Sequence, residues 1–277
     1  AGARPLFERA VQENPADARA QFDLGMALEL LGDGAGAEQR YRRAIELRAG
    51  FAEALNNLGL LLRAQGKAGE AVATLRQAVA ANPASAEGHM NLALALEESG
   101  DLPSAESEYR EVLRIDPNNA MTRANLGLLL VRTGKKQQAV AELQRALPRA
   151  RGNRAALLTI GNGLRRAGDP AAAVGAIKEA IAAGGKGPTP ALLSELALAQ
   201  LAAGYRSAAI GTLREAIELE DSYAIAHYLL ANMLAADGSY QEAISHYRRY
   251  LKLEPEGEQA SRARERLQRA RQAKKAR

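Results

Sequence analysis

The sequence predicts an all-α fold, an α-solenoid built from tandem helix hairpins. One observation is that glycines recur about every 34 residues along the 277-residue chain. Another is that alanines and larger apolar residues recur in the same phase after each glycine. The third is composition: the chain is 47% hydrophobic but only 4% aromatic, with no Trp. Alanine and leucine must therefore supply most of the core.

The recurring glycines mark seven turns. They are Gly32, Gly66, Gly100, Gly134, Gly168, Gly204 and Gly238. An alanine lies five residues after each of them, and a Tyr, Leu or Ile follows four residues later. Before the glycines, Leu-Gly or Leu-Ala pairs and further leucines recur at helical spacing, as in NNLGLLLRAQG at 56–66. Each unit therefore reads as helix, glycine turn, helix, with small residues such as Gly59 and Ala93 expected where the two helices cross.

This pattern resembles the tetratricopeptide repeat family over about residues 18–257, although the consensus Trp is absent throughout. The resemblance implies a right-handed superhelix of seven repeats. Their expected bounds are 18–51, 52–85, 86–119, 120–153, 154–187, 190–223 and 224–257. Residues 1–17 look like an N-terminal half-repeat or capping helix, and residues 258–277 like a basic C-terminal capping helix.

In this family the first helix of each repeat faces the concave groove. The resemblance places an asparagine ladder there, formed by Asn57, Asn91 and Asn125, and this ladder is similar to that of the superhelical domain of O-GlcNAc transferase. An amide side chain offers both a donor and an acceptor, so we expect the ladder to bind the backbone of an extended peptide. The alternative is that each amide bonds a neighbouring helix or water.

Two further groups are expected in the groove. An anion site, for a carboxylate or phosphate, is predicted at Arg132, Arg165 and Arg166, with an ordinary solvated helix end as the alternative. An apolar strip beside the amides is also expected, although part of it should be packing between adjacent first helices. The strip consists of Phe22, Met26, Leu60, Met90, Leu94 and Leu128.

The charge distribution argues against nucleic acid as the principal partner. The net charge is +5, but residues 258–277 alone carry eight Lys or Arg and two Glu, so the rest of the chain is close to neutral. A nucleic-acid footprint normally needs a basic stripe across the folded surface. Direct membrane contact is not expected either, because no stretch approaches the roughly 20 apolar residues that cross a bilayer.

The sequence contains no catalytic or cofactor motif, so we predict a protein that is not an enzyme and needs no cofactor or metal. There are no cysteines. His89 and His227 occupy the fourth position of their repeats, where the family places a buried bulky residue, and we interpret them as packing residues.

The predicted function is a noncatalytic protein-interaction scaffold that binds an extended peptide or a partner helix, with no small-molecule substrate. One alternative is the substrate-recruiting domain of a larger enzyme such as a glycosyltransferase. Another is a bacterial periplasmic or lipid-anchored assembly factor for pilus or secretion machinery. The sequence allows the protein to form homo-oligomers, and it allows a location in either the bacterial cytoplasm or the periplasm. The chain begins with Ala1, which leaves a longer precursor possible.

Overall fold

The computed structural model describes residues 4–185 and 187–275, which form sixteen α-helices, one short 3-10 helix (Leu147–Arg149) and no β-strand. The helices are α1 (Arg4–Glu13), α2 (Ala18–Leu30), α3 (Gly34–Leu47), α4 (Ala52–Ala64), α5 (Ala68–Ala81), α6 (Ala86–Ser99), α7 (Leu102–Ile115), α8 (Ala120–Arg132), α9 (Lys136–Ala146), α10 (Arg154–Ala167), α11 (Pro170–Ala182), α12 (Pro190–Ala202), α13 (Arg206–Leu219), α14 (Ala224–Ala236), α15 (Tyr240–Leu253) and α16 (Ala260–Lys275). The predicted all-α fold of tandem helix pairs is confirmed. The outermost parts of the predicted terminal segments, residues 1–3 and 276–277, lie outside the described residues, as does Lys186.

The chain divides into two compact units, residues 1–129 (unit 1) and 130–277 (unit 2). In unit 1 each helix from α1 to α7 packs on the next, and the first helices α4 and α6 also touch each other. In unit 2 the helices from α9 to α16 pack in the same sequential way, and α10, α12, α14 and α16 are in successive contact. Each unit is therefore a stretch of helical solenoid in which first helices share one face.

The glycine turns are enforced by backbone conformation. All seven predicted turn glycines have positive φ, between 76° and 104°. At Gly100 the chain leaves α6 in the left-handed region with φ 86°, and the next N–H, of Asp101, returns to the carbonyl of Leu96 at 2.9 Å. A side chain would be strained in this conformation, so glycine closes the helix and reverses the chain.

The helix pairs α4/α5 and α2/α3 cross closely at glycines, as predicted for Gly59. A Cβ on Gly59 would lie only 2.5 Å from Cγ of Leu75, on the second helix of the same pair. The same contact recurs between Gly25 and the Tyr41 ring, where a Cβ would come within 2.7 Å. Ala93 is completely buried. The glycine on the first helix thus makes room for the large apolar residue on the second.

A polar side chain at the fourth position of several first helices ties each helix to the turn before it. The side chains donate to backbone carbonyls six residues earlier: Gln21 to Pro15, His89 to Pro83, Arg123 to Pro117 and His227 to Asp221. His89 and His227 are only 6% and 2% exposed, which confirms their interpretation as packing residues. Each accepting carbonyl lies in the turn, two residues after the end of the preceding helix, so the side chain holds the turn against the next helix.

The segment between α11 and α12 is held by an arginine from an earlier helix. The Arg154 guanidinium donates to the carbonyls of Ala180 at 3.1 Å and Gly187 at 3.3 Å. The turn glycines on either side of this segment, Gly168 and Gly204, are 36 rather than 34 residues apart, and the two additional residues lie in the segment. One guanidinium therefore satisfies backbone groups on both sides of the irregular turn.

Candidate functional site

Unit 1 contains a polar cavity of about 230 Å³ beside the N-terminal halves of α4 and α6. We call it the unit-1 cavity. Its lining residues are Phe22, Ala52, Glu53, Asn56, Asn57, Ala78, Asn82, Ser85, Glu87 and Gly88. Amide and carboxylate groups therefore share a small space with an apolar contribution from Phe22 and two alanines. Such a combination suits a ligand that has both polar and apolar parts.

The amides around this cavity are oriented by contacts inside the protein. Nδ2 of Asn91 donates to Oδ1 of Asn56 at 2.9 Å, which links the first helices α6 and α4. Nδ2 of Asn56 also lies 3.5 Å from the Glu87 carboxylate. These two amides therefore have a defined orientation before any ligand arrives.

Asn57 lies near a second polar group. Its side chain is close enough to the Tyr41 hydroxyl to influence the pKa of that phenol, and the hydroxyl donates to the Glu29 carboxylate at 2.6 Å. Burial, followed by the hydrogen bond to Glu29, raises the pKa of Tyr41, so this phenol is neutral and acts as the donor. Asn57, Asn91 and Asn125 are all half-buried at the sixth position of their helices, and the first two have partners within the chain.

The acidic side chains of the first helices fall into two classes. Glu97 accepts from the Tyr109 hydroxyl at 2.9 Å, and Glu98 pairs with Arg63 at 3.3 Å. By contrast, Glu53 and Glu87 are exposed at the cavity rim and have no Lys or Arg partner within residues 4–185 and 187–275. The cavity therefore carries two carboxylates whose charge is not neutralised by the protein.

The six residues of the predicted apolar strip differ in exposure. Phe22 is only 4% exposed because its ring packs against Tyr41 and Phe51, with ring centroids 5.7 and 5.1 Å away. It still contributes to the wall of the unit-1 cavity. The other five are half-buried, namely Met26, Leu60, Met90, Leu94 and Leu128. A ligand could therefore reach part of these side chains, while the rest packs between helices.

The three arginines predicted to bind an anion lie in unit 2. Arg132 and Arg166 are exposed, whereas Arg165 is half-buried and its Nε is enclosed without a hydrogen-bond partner among the described residues. Arg132 already has an interaction within the protein. The three side chains thus have different surroundings, although all belong to the last turns of first helices.

The cavity also contains residues that the sequence reasoning did not select. Asn56 lies beside Asn57 at the fifth position of its repeat. The family resemblance directs this position toward the groove, so the sequence contained enough information to select Asn56. Asn82 and Ser85 lie in the turn before α6, where Ser85 accepts from the N–H of Gly88 at 3.0 Å as the helix cap. No repeat position distinguishes such turn residues, because their place in the cavity depends on α4 packing nearby.

Metal and membrane features are absent from the described residues. No group of three or more His, Asp or Glu side chains within 4–185 and 187–275 has an arrangement that could hold a metal ion. In the same ranges, every helix is too short or too polar to span a bilayer.

The fold is similar to that of several solved structures. A tetratricopeptide repeat protein from Parabacteroides merdae is 18% identical with a TM-score of 0.62, covering 91% of this chain and 98% of that one. YrrB, described as a TPR protein with an unusual peptide-binding site, is 19% identical with a TM-score of 0.56, covering 72% and 97%. PilF of Pseudomonas aeruginosa is 20% identical with a TM-score of 0.56, covering 76% and 95%. At these identities the likeness is one of fold.

Comparison with curated proteins finds no match. Two profiles of the tetratricopeptide repeat match the sequence, one at residues 1–52, 56–120 and 194–258 and the other at 98–159. Together they span more than half of the chain, in agreement with the helix pairs and glycine turns described above. The chain belongs to the tetratricopeptide repeat family.

Proposed function

We propose that this protein is a noncatalytic protein-interaction scaffold whose unit-1 cavity binds an extended peptide carrying a basic side chain. The observation that carries this proposal is the pair of unneutralised carboxylates, Glu53 and Glu87, beside preoriented amides in a cavity of about 230 Å³. A Lys or Arg of the ligand would pair with these carboxylates. The YrrB structure supports the general proposal, since that protein is described as having a peptide-binding site and has a similar fold.

The amides would hold the peptide backbone. One N–H of the Asn91 amide donates to Asn56, which leaves the carbonyl oxygen to accept from a ligand N–H and the second N–H to donate to a ligand carbonyl. Asn57 and Asn125 are half-buried at the equivalent positions of their helices and would act in the same way. Because the Asn91 amide is already oriented, less conformational entropy is lost when the ligand binds.

The experiment is a selection from a phage-displayed library of random dodecapeptides against the complete chain. The expected result is enrichment of Lys and Arg together with one or more apolar residues. The double variant Glu53→Gln/Glu87→Gln should lose this enrichment, because the amide retains shape and removes the charge. Glu46→Gln is the matched control, since Glu46 is exposed on the second helix α3 and pairs with Arg43.

The role of the amides is measured with the most enriched peptide, labelled with fluorescein. The triple variant Asn57→Ala/Asn91→Ala/Asn125→Ala should bind it at least about tenfold more weakly, since each peptide hydrogen bond contributes about 0.5–1.5 kcal/mol. Gln77→Ala, on the exposed side of α5, is the control. If the triple variant keeps its helicity and binds the peptide with unchanged affinity, the amides do not contribute to binding. If the enrichment of basic peptides is unchanged in the Glu53→Gln/Glu87→Gln variant, the unit-1 cavity is not their binding site.

A further inference from the structure

A second groove lies in unit 2, on the face shared by α12, α14 and α16. Two adjoining cavities of about 270 and 350 Å³ have Asn232, Ala236 and Arg266 in common. We call this surface the C-terminal groove. Its apolar floor is formed by Leu198, Leu201, Leu229 and Met233. Helix α16 supplies one wall of this groove through Arg266, Arg269, Ala270 and Ala273.

The apolar floor is incompletely covered by the protein. Leu198 and Leu201 lie one turn apart on α12 and are half-buried, as is Leu229 on α14. Nearby on α14, the side chain of Ile225 is 39% exposed. Covering such side chains with an apolar ligand group would release ordered water and favour binding.

Arg266 lies beside two tyrosines of the preceding helices. Its guanidinium carbon lies 5.7 Å from the centre of the Tyr228 ring, and its positive charge opposes the rise that burial causes in the pKa of Tyr247. Tyr247 is almost completely buried and donates in turn to Oδ1 of Asn232 at 2.7 Å. The Tyr228 ring contact orients Arg266 and the Tyr247 hydroxyl orients Asn232, so a cation and an amide both line the part of the groove that the two cavities share.

The charge of Arg266 is not neutralised by the protein. Helix α16 carries seven Lys or Arg and one Glu. Other arginines near the groove have acidic partners, since Arg206 pairs with Asp237 at 2.7 Å and Arg269 with Glu265 at 2.5 Å. Arg266 has no carboxylate partner among the residues that the structure describes. The groove thus presents an apolar floor beside an oriented guanidinium that lacks a counterion.

We infer that the C-terminal groove binds an acidic peptide segment of a partner protein, with a bulky apolar side chain on the leucine floor and an Asp or Glu carboxylate on Arg266. The inference rests on the proposed function in that the ligand is a peptide, but it assigns a different surface and the opposite ligand charge. A carboxylate accepts two parallel hydrogen bonds from a guanidinium, and a neighbouring apolar side chain excludes water from that pair.

The test uses the same dodecapeptide library against the complete chain and against Arg266→Glu. Wild type should enrich a second class of peptides, rich in Asp or Glu and in Leu, Ile or Phe. Arg266→Glu should lose this class and keep the basic class assigned to the unit-1 cavity. Arg271→Glu is the matched control, because Arg271 is an exposed arginine of the same helix that lies outside the groove.

The strongest acidic peptide is then synthesised with fluorescein and with each acidic residue changed to its amide. We expect Arg266→Gln to weaken its binding about fivefold to tenfold, and the amide form of the peptide to be insensitive to this substitution. Leu201→Gln should weaken binding to a similar degree without loss of helicity. Arg266→Lys should recover part of the affinity, since it keeps the charge and loses the paired geometry.

The outcomes separate the two sites. If no acidic class is enriched, or if the class survives Arg266→Glu, the inference is overturned while the proposed function can stand. If the acidic class depends on Arg266 but no basic class depends on Glu53 and Glu87, the proposed unit-1 site fails and the C-terminal groove stands. Binding of a labelled dT20 oligonucleotide that depends on Arg266, in the absence of an acidic peptide class, would assign the groove to nucleic acid and overturn the inference.

Discussion

Replacing Gly59 with alanine tests whether close helix crossing stabilises each repeat. The added Cβ would lie 2.5 Å from Cγ and 2.7 Å from Cδ2 of Leu75, whereas carbon atoms in contact prefer about 3.5–4.0 Å. Leu75 is fully buried and cannot turn aside into solvent, so the helices α4 and α5 must move apart by roughly 1 Å. Overpacking of this kind costs about 1–3 kcal/mol.

Alanine also favours the helix by about 1 kcal/mol over glycine, which masks part of this cost. Gly211→Ala measures this helix-propensity contribution alone, because Gly211 is exposed within α13 and an added Cβ there meets nothing within 4 Å. Gly211→Ala should stabilise the protein, and Gly59→Ala should be less stable than Gly211→Ala by about 1–3 kcal/mol. The difference between the two variants then measures the steric cost of the crossing.

The assay is urea denaturation followed by circular dichroism, combined with hydrogen exchange. Hydrogen exchange is needed because repeat arrays can lose cooperativity, so a single unfolding midpoint can hide a local change. Gly59→Ala should lower protection in α4 and α5, where the clash occurs. Adding Leu75→Ala should relieve the clash, so the double variant should lose less stability than the sum of the single variants. Equal stability of the two glycine variants, or strict additivity of the double variant, would refute the reasoning.

Two further predictions concern buried polar groups. Tyr109→Phe removes the hydrogen bond to Glu97 and should lower the free energy of unfolding by about 1 kcal/mol, whereas Tyr205→Phe, at an exposed position, should change it little; equal effects in urea denaturation would contradict this. Burial, and after it the nearby His227, lowers the pKa of His246, so the folded chain binds fewer protons there than the unfolded chain. The stability that neutral His246 contributes should be complete above the unfolded pKa of about 6.5 and be lost as the pH falls toward the lower folded value. His246→Gln should reduce the difference in unfolding free energy between pH 7.5 and 5.5, and an unchanged difference would show that another group is responsible.

The candidate sites show where sequence reasoning reaches its limit. The repeat register places Asn57 and Asn91 at equivalent positions, but it cannot predict that Asn91 donates to Asn56 and that Asn57 lies near Tyr41. Phe22 occupies a groove position in the register and is nevertheless 4% exposed, because aromatic rings from two other segments cover it. The roles of the ladder, the apolar strip and the three arginines in binding stay predictions.

The C-terminal groove could not be predicted from the sequence for a similar reason. The basic residues of α16 are visible in the sequence, and their simplest reading is a solvated helix face. For Arg266 this interpretation changes, because the structure places it beside Tyr228 and Asn232, which lie more than thirty residues earlier in the chain. Packing of α16 on α14 and α15 creates the groove, and the sequence carries no periodic signal for that specific arrangement.

The amino-acid sequence alone is sufficient to predict the helices and turns of this protein. Helix periodicity, the turn glycines that adopt positive φ and the small residues at the crossings are all set by interactions within one repeat, so a 34-residue register contains them. The tertiary structure decided which polar and apolar groups remain available to a partner. Glu53, Glu87 and Arg266 have no ion-pair partner of opposite charge among residues 4–185 and 187–275, whereas Glu98 and Arg206 are paired. Such pairing depends on side chains from separate segments meeting in space, which local sequence does not encode.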